Sequence, residues 1–268
     1  MANKKAIVTG CSSGIGRATA LELTARGYEV VATARRLESI EDLAVARTLT
    51  LDVDSDGSVD AVRDAVGPVD VLVNNAGFGI EGPVEEVPLA DVRRAFETNF
   101  FGAARMIQTF VPAMRERGSG TVVNVTSIGG VVAGPLAGYY SATKFALEAL
   151  SESLHLEAGH YGVRVLVVEP GAIATRFGDN MVDLRGQPGP YAELAKLWEG
   201  AMGVLGGEGP APGPELVATK ICDALEAEGP HPLRLPVGAD AEMIVAGRQG
   251  VSYDDFETAM RGVLQLDW

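Results

Sequence analysis

Short runs of β-branched and aliphatic residues alternate along this 268-residue chain with longer stretches in which apolar positions recur every three or four residues. The runs at 6–9, 29–33, 48–51, 69–74, 121–126, 163–169 and 232–235 read as strands, since short apolar segments bounded by turn-forming residues suit a buried pleated surface. The stretches at 15–26, 39–45, 55–66, 89–117, 139–161 and 214–227 carry the helical period. Repeated strand, helix, strand predicts a mostly parallel α/β sheet. Right-handed crossovers then cover both of its faces with helices. Ligands of such sheets bind outside the carboxyl ends of the strands, so the chemistry is expected in the loops that follow them.

Composition narrows the class. Apolar residues make up 47% and charged residues 22%, the balance of a folded globular protein. No linker divides residues 1–268, and a single α/β domain is expected. The net charge of −14 argues against a nucleic-acid or anionic-membrane surface. Any phosphate must therefore be bound by a local device. No apolar run approaches the roughly 20 residues of a spanning helix. Cys11 and Cys222 form no spaced framework, and no basic, apolar leader precedes the first strand, so the cytoplasm is the expected compartment. His155, His160 and His231 form no metal-ligating cluster, and no metal is expected.

The first loop after a strand reads Thr9, Gly10, Cys11, Ser12, Ser13, Gly14, Ile15, Gly16. Glycines allow a tight turn and a close approach to a pyrophosphate, and a helix opening at Ile15 offers free N–H groups and a positive dipole end. Its spacing differs from the usual dinucleotide fingerprint, with three residues between the first two glycines and one between the last two. Further on, Tyr140 and Lys144 stand four residues apart, and Ser127 precedes the phenol by thirteen. On a helix that spacing sets phenol and ammonium on one face, where the cation would loosen the phenol's proton.

The glycine spacing together with Asp52 and Val53, Asn74 to Gly77, Asn99, Ser127, Tyr140, Lys144 and the segment Pro170 to Thr175 resembles the classical short-chain dehydrogenase/reductase family. The match covers nearly the whole chain in the family's order. It implies a Rossmann-type doubly wound, mostly parallel seven-stranded sheet and an oxidoreductase that interconverts a carbonyl and an alcohol by hydride transfer, as a ketoreductase does. Reducing a ketone calls for a proton donor and a hydrogen bond at the carbonyl oxygen, roles for Tyr140 and Ser127. The resemblance further implies that Lys144 binds the nicotinamide ribose and that Asn99 holds a water linking Lys144 to solvent. Gly10, Ser12, Ser13, Gly14 and Ile15 would cradle the pyrophosphate, Asp52 and Val53 would bracket the adenine, and Asn75, Ala76 and Gly77 would lie beside the adenosine ribose. Asn74 reads instead as an amide that ties strands together. Pro170, Gly171, Ile173 and Thr175 would close over the nicotinamide.

Where a NAD-preferring member carries an aspartate this chain has Ala34, and Arg35 falls where a basic residue receives a 2′-phosphate. NADP(H) is therefore favoured, with NAD(H) possible because Ser13 stands where some NADP-dependent members carry a second basic residue. Residues 176–212 look like a substrate-covering lid. Tyr191, Leu194, Leu197, Trp198, Ala201, Met202 and Leu205 form its apolar patch, and Phe78, Ile80, Val131, Leu136 and Phe177 are expected as further walls, favouring a hydrophobic ketone or aldehyde. Leu264, Leu266 and Trp268 are candidates to cap the cleft or an interface. Apolar residues on more than one stripe of helices 89–117 and 139–161 predict a homodimer or homotetramer. Two other functions fit the same residues: a non-redox lyase or epimerase, and a catalytically silent dinucleotide-sensing regulator.

Overall fold

The computed structural model describes residues 3–205, 209–229 and 231–265. The side chains of Met202, Leu205 and Leu264, and all of Leu266 and Trp268, lie outside the described residues. Seven parallel strands form one sheet: β1 (Lys5–Val8), β2 (Glu29–Ala34), β3 (Arg47–Thr50), β4 (Val71–Asn74), β6 (Gly120–Val125), β7 (Val163–Pro170) and β9 (Arg234–Val237). Two short strands, β5 (Ile80–Glu81) and β8 (Val182–Asp183), pair separately. The order across the large sheet is β3-β2-β1-β4-β6-β7-β9. The chain thus winds outward in both directions from the seam between β1 and β4, and the carboxyl ends of those two strands open the crevice where such sheets bind ligands.

Strand alternation decides what packs where. Ala6, Val8, Val30, Ala32, Val71 and Val73 meet Ala20 and Leu23 of α1 (Gly14–Ala25) and Val217, Ile221 and Leu225 of α7 (Pro214–Glu226). The intervening Ile7, Val31 and Leu72 face Val59 and Val62 of α2 (Asp56–Val66) and Met106 and Phe110 of α4 (Ala103–Arg117) on the other side. A one-residue slip would exchange these two sets. Ile7, Val8, Val30 and Leu72 are wholly buried, and each large aliphatic so placed contributes about 1.5–3 kcal/mol relative to exposure. The remaining helices are α3 (Leu89–Phe96), α5 (Gly138–Gly159), α6 (Ala192–Leu205), α8 (Ala239–Arg248) and α9 (Tyr253–Leu264).

Three expectations are corrected. Residues 39–45 are not a helix: a 3-10 turn at Leu37–Ser39 is followed by isolated turns, with Leu43 N–H donating to the Ile40 carbonyl at 3.0 Å. Seven residues are too few to offset the cost of helix nucleation, and burial of Ile40 and Leu43 is achieved without one. The long helix at 89–117 is broken by a π-helical segment, Glu97–Gly102. Finally, α8 and α9 lie beyond the last strand that the pattern revealed. Phe101, Phe145 and Leu156 are exposed on the segments where subunit contacts were expected. No helix among the described residues is long and apolar enough to cross a membrane.

Candidate active site

The glycine loop after β1 is shaped by close backbone approach. Gly10 has φ +73°, and a Cβ there would lie 2.9 Å from the Ala76 Cα; at Gly16 it would meet the Asn75 amide at 2.3 Å. Thr9 and Asn75 brace the turn. The Asn75 amide donates to the Thr9 and Gly10 carbonyls at 2.9 and 3.2 Å, and the Thr9 hydroxyl accepts from the Asn75 and Ala76 N–H groups. Ser13 caps α1 without a side-chain hydrogen bond, which leaves the first-turn N–H groups free for an anion. These features fit the pyrophosphate of a dinucleotide: a cradle that any side chain would fill, at a helix N-terminus.

Ser127 follows β6, and α5 starts at Gly138, so Tyr140 and Lys144 occupy its first two turns on one face. The Ser127 hydroxyl lines the cavity together with the phenol and accepts from the Gly129 N–H at 3.0 Å. Burial pushes the Tyr140 phenol up to about 12; the nearby Ser127 hydroxyl opposes this and the Glu81 charge adds to it. The Lys144 ammonium is 5% exposed, donates to the Val125 carbonyl at 3.0 Å and lies 5.8 Å from the phenol ring centroid. Burial brings it down to about 8, against the pull of Glu148. The expected loosening of the phenol's proton by Lys144 is not seen in this state, where burial dominates and holds the phenol above its ordinary range. Phe177 packs edge-on against the phenol, ring centroids 5.9 Å apart.

Asn99 sits within the π-helical segment, which turns its amide inward. Its Oδ1 accepts from the Phe78 N–H at 3.0 Å, and its Nδ2 donates to the Phe78 carbonyl at 3.0 Å and the Thr143 hydroxyl at 3.1 Å. A Cβ at Gly77 would fall 3.0 Å from Asn99 Oδ1 and 3.9 Å from Lys144 Nζ, so a glycine there keeps the space between these two groups open. Asn74 ties β4 to β6 by donating to Asn124 Oδ1 at 2.9 Å, as expected.

One cavity of about 850 Å³ collects Gly10, Ser12, Ser13, Gly14, Ile15, Arg35, Asp52, Val53, Asn75, Ala76, Gly77, Ser127, Tyr140, Lys144, Pro170, Gly171, Ile173 and Thr175. Asn99 stands behind this wall, at 1% exposure. The apolar walls differ from expectation. Phe78, Phe177 and Trp198 line the cavity, but Ile80 and Leu136 are buried beneath it, and Val131 yields its place to Ile128 and Val132. Sequence reasoning missed Met243 and Ile244 of α8 and Phe256 and Met260 of α9, which complete the apolar side. A signal for α9 exists in Ser252-x-x-Asp255, where the serine Oγ accepts from the Asp255 N–H at 3.1 Å. Also missed were Asp240, whose carboxylate accepts from the Ala172 N–H at 2.6 Å and so fixes the turn after β7, and the pair of Arg185 with Glu81 at 2.6 Å. Among the described residues no group of three or more His, Cys, Asp or Glu could hold a metal.

The chain is similar to known proteins in sequence and in fold. A sequence profile described as short chain dehydrogenase matches residues 4–185. A 3-ketodihydrosphingosine reductase of Bacteroides thetaiotaomicron is 40% identical over 193 residues, which cover 70% of this chain and 71% of that protein. Among solved structures, a short-chain dehydrogenase from Streptomyces avermitilis aligns over 100% of both chains with a TM-score of 0.85 and 38% identity. A short chain dehydrogenase from Burkholderia cenocepacia in complex with NADP has a TM-score of 0.78 and 26% identity, covering 99% of this chain and 98% of its own.

Proposed function

This chain belongs to the short-chain dehydrogenase family and is an oxidoreductase, and we propose that it interconverts a hydrophobic ketone or aldehyde and its alcohol with NADP(H), Tyr140 giving or taking the proton. The observation that carries this reading is that a single cavity is lined by the glycine loop, by Tyr140 and Ser127, and by apolar residues of α6, α8 and α9. A bound nicotinamide supplies or accepts the hydride. A phenol lifted to about 12 stays protonated at neutral pH, yet it remains a far stronger acid than the alcohol whose alkoxide it would quench. In this state the phenol is a proton donor, as reduction of a carbonyl requires. Ser127 would hydrogen-bond the carbonyl oxygen, and Phe177 and Trp198 at the cavity wall would keep water from the phenol. Lys144 would hold the ribose, and the space that Gly77 leaves between Asn99 and Lys144 suits a water that relays protons to the ammonium.

The cofactor preference rests on charge. Arg35, Arg36 and Arg176 border one depression with Ser12, Ser13, Glu38, Asp179 and the paired Arg17 and Asp42, and none of the three forms an ion pair with a described residue. Unpaired guanidinium groups gathered in a chain of net charge −14 suit the doubly charged 2′-phosphate of NADP better than a ribose diol. The similarity to a structure in complex with NADP supports the same choice.

For substrate, Trp198 is the informative residue. Its ring lies so close to Gly134 that a Cβ there would be 2.5 Å from it, which fixes the indole at the cavity wall. Trp198→Ala is expected to lower kcat/KM for bulky ketones by about 10- to 100-fold, the equivalent of about 1.5–3 kcal/mol of lost apolar contact, while a small ketone changes little. Steady-state kinetics on a graded ketone series checks this. Equal losses for large and small ketones would remove the case for a hydrophobic substrate.

A further inference from the structure

Behind Lys144 lies a group of charges that the reaction above does not use. Glu148, one turn further along α5, is 5% exposed, and Glu169, next to Pro170 in β7, is wholly buried. Arg234 of β9 reaches both, its Nε 3.1 Å from Glu148 Oε2 and 3.2 Å from Glu169 Oε1. That nitrogen carries one hydrogen, and it is directed at Glu148. The Arg234 Nη2 turns outward to Glu152 at 2.5 Å. Both Glu169 oxygens are left without a hydrogen-bond donor among the described residues.

Two buried carboxyl groups that share one guanidinium do not both ionise readily. Burial raises Glu148 as well, but the Arg234 charge and the hydrogen bond that its Nε donates oppose this and favour the charged form there. Burial and the neighbouring Glu148 push Glu169 up to about 7. The pair therefore keeps its negative charge on Glu148, and Glu169 takes the proton as pH falls through that value. Lys144 gains from this arrangement. Its buried ammonium has the Val125 carbonyl as a neutral partner, and Glu148 is the charge that opposes its loss of a proton. The charged and titratable groups around the cluster are Tyr140, Lys144, Glu148 and Glu152 from α5, Glu169 from β7 and Arg234 from β9.

We propose that Glu148 is a positioning residue of the reaction: held by Arg234 beside Glu169, its carboxylate is the buried counter-charge that keeps the Lys144 ammonium protonated where the enzyme works. This rests on the role given to Lys144 under the proposed function. Because the protonated lysine is the working form, kcat/KM falls as pH rises through about 8 in the unaltered enzyme.

Lys144 can be titrated in the free protein, without substrate or cofactor. The chain has five lysines, so isotope-labelled lysine gives few NMR signals, and Lys144→Met assigns the one that matters. Glu148→Gln is expected to lower the Lys144 midpoint by about one pH unit, a tenfold change in its protonation ratio, and to move the alkaline limb of kcat/KM down equally. Glu148→Asp restores part of both. A purely structural role would lower activity at every pH and leave the midpoint in place. If Glu148→Gln does not fold, the triple replacement Glu148→Met, Glu169→Leu, Arg234→Met removes the whole cluster without stranding a charge, and the midpoint must again fall. An unchanged midpoint in whichever variant folds overturns the proposal. A lowered midpoint in a protein that reduces no carbonyl leaves the counter-charge standing and overturns the proposed function instead.

Discussion

Tyr140→Phe lowers kcat/KM for ketone reduction by about 10³- to 10⁴-fold while the NADPH dissociation constant stays within about threefold, because the change removes one proton donor and little else. The ring remains, so its edge contact with Phe177 and its place on the first turn of α5 are kept. What disappears is the hydroxyl that shares the cavity with Ser127, the group that would deliver a proton to the developing alkoxide. Fluorescence titration with NADPH, beside steady-state kinetics, separates the two effects. A variant that kept more than a tenth of the activity would remove Tyr140 from the chemistry, and one that lost cofactor binding as well would show that the phenol serves the fold of the site.

The second large effect concerns the cofactor. Arg35→Ala is expected to weaken NADPH binding by about 10- to 100-fold, since hydrogen bonds to a charged group contribute about 1.5–3 kcal/mol and each 1.4 kcal/mol is tenfold. NADH, which lacks the 2′-phosphate, should bind within about twofold of its original affinity. Arg36 and Arg176 border the same depression, so some preference survives the single change. Adding Ala34→Asp places a carboxylate where a ribose diol would be held and should reverse the preference. The NADPH affinity should also fall with salt more steeply than that for NADH. Equal weakening of both cofactors by Arg35→Ala would mean that this guanidinium supports the loop and does not read the phosphate.

The residues explain why much of this was legible beforehand. The five inner strands were readable because each is a short, β-branched run that is almost wholly buried, the half-exposed edge strands β3 and β9 showed more weakly, and the candidate site followed because its parts lie in loops after strands: Gly10 after β1, Asn75 after β4, Ser127 after β6, Gly171 at the end of β7. The π-helical turn at Asn99 left no mark, since its apolar neighbours keep a near-helical period through the extra backbone residue. The segment at 39–45 misled because Ile40 and Leu43 have helical spacing in a piece too short to nucleate. The apolar wall from α8 and α9 was missed because burial there is sparse, with Ala241 and Val245 the buried residues of α8, while Met243 and Phe256 turn toward the cavity. The β5–β8 pair, two residues on each side, has no sequence signature at all.

Isotope transfer is the most direct test of the central claim. NADPH deuterated at the transferable position of its nicotinamide is incubated with the enzyme and a panel of hydrophobic ketones, and the products are read by mass spectrometry. The account predicts an alcohol carrying one deuterium on the former carbonyl carbon, formed by the wild type and not by Tyr140→Phe. Conversion without deuterium transfer would point to a lyase or epimerase, and tight NADPH binding with no product from any ketone to a silent sensor; either result would contradict a carbonyl reductase.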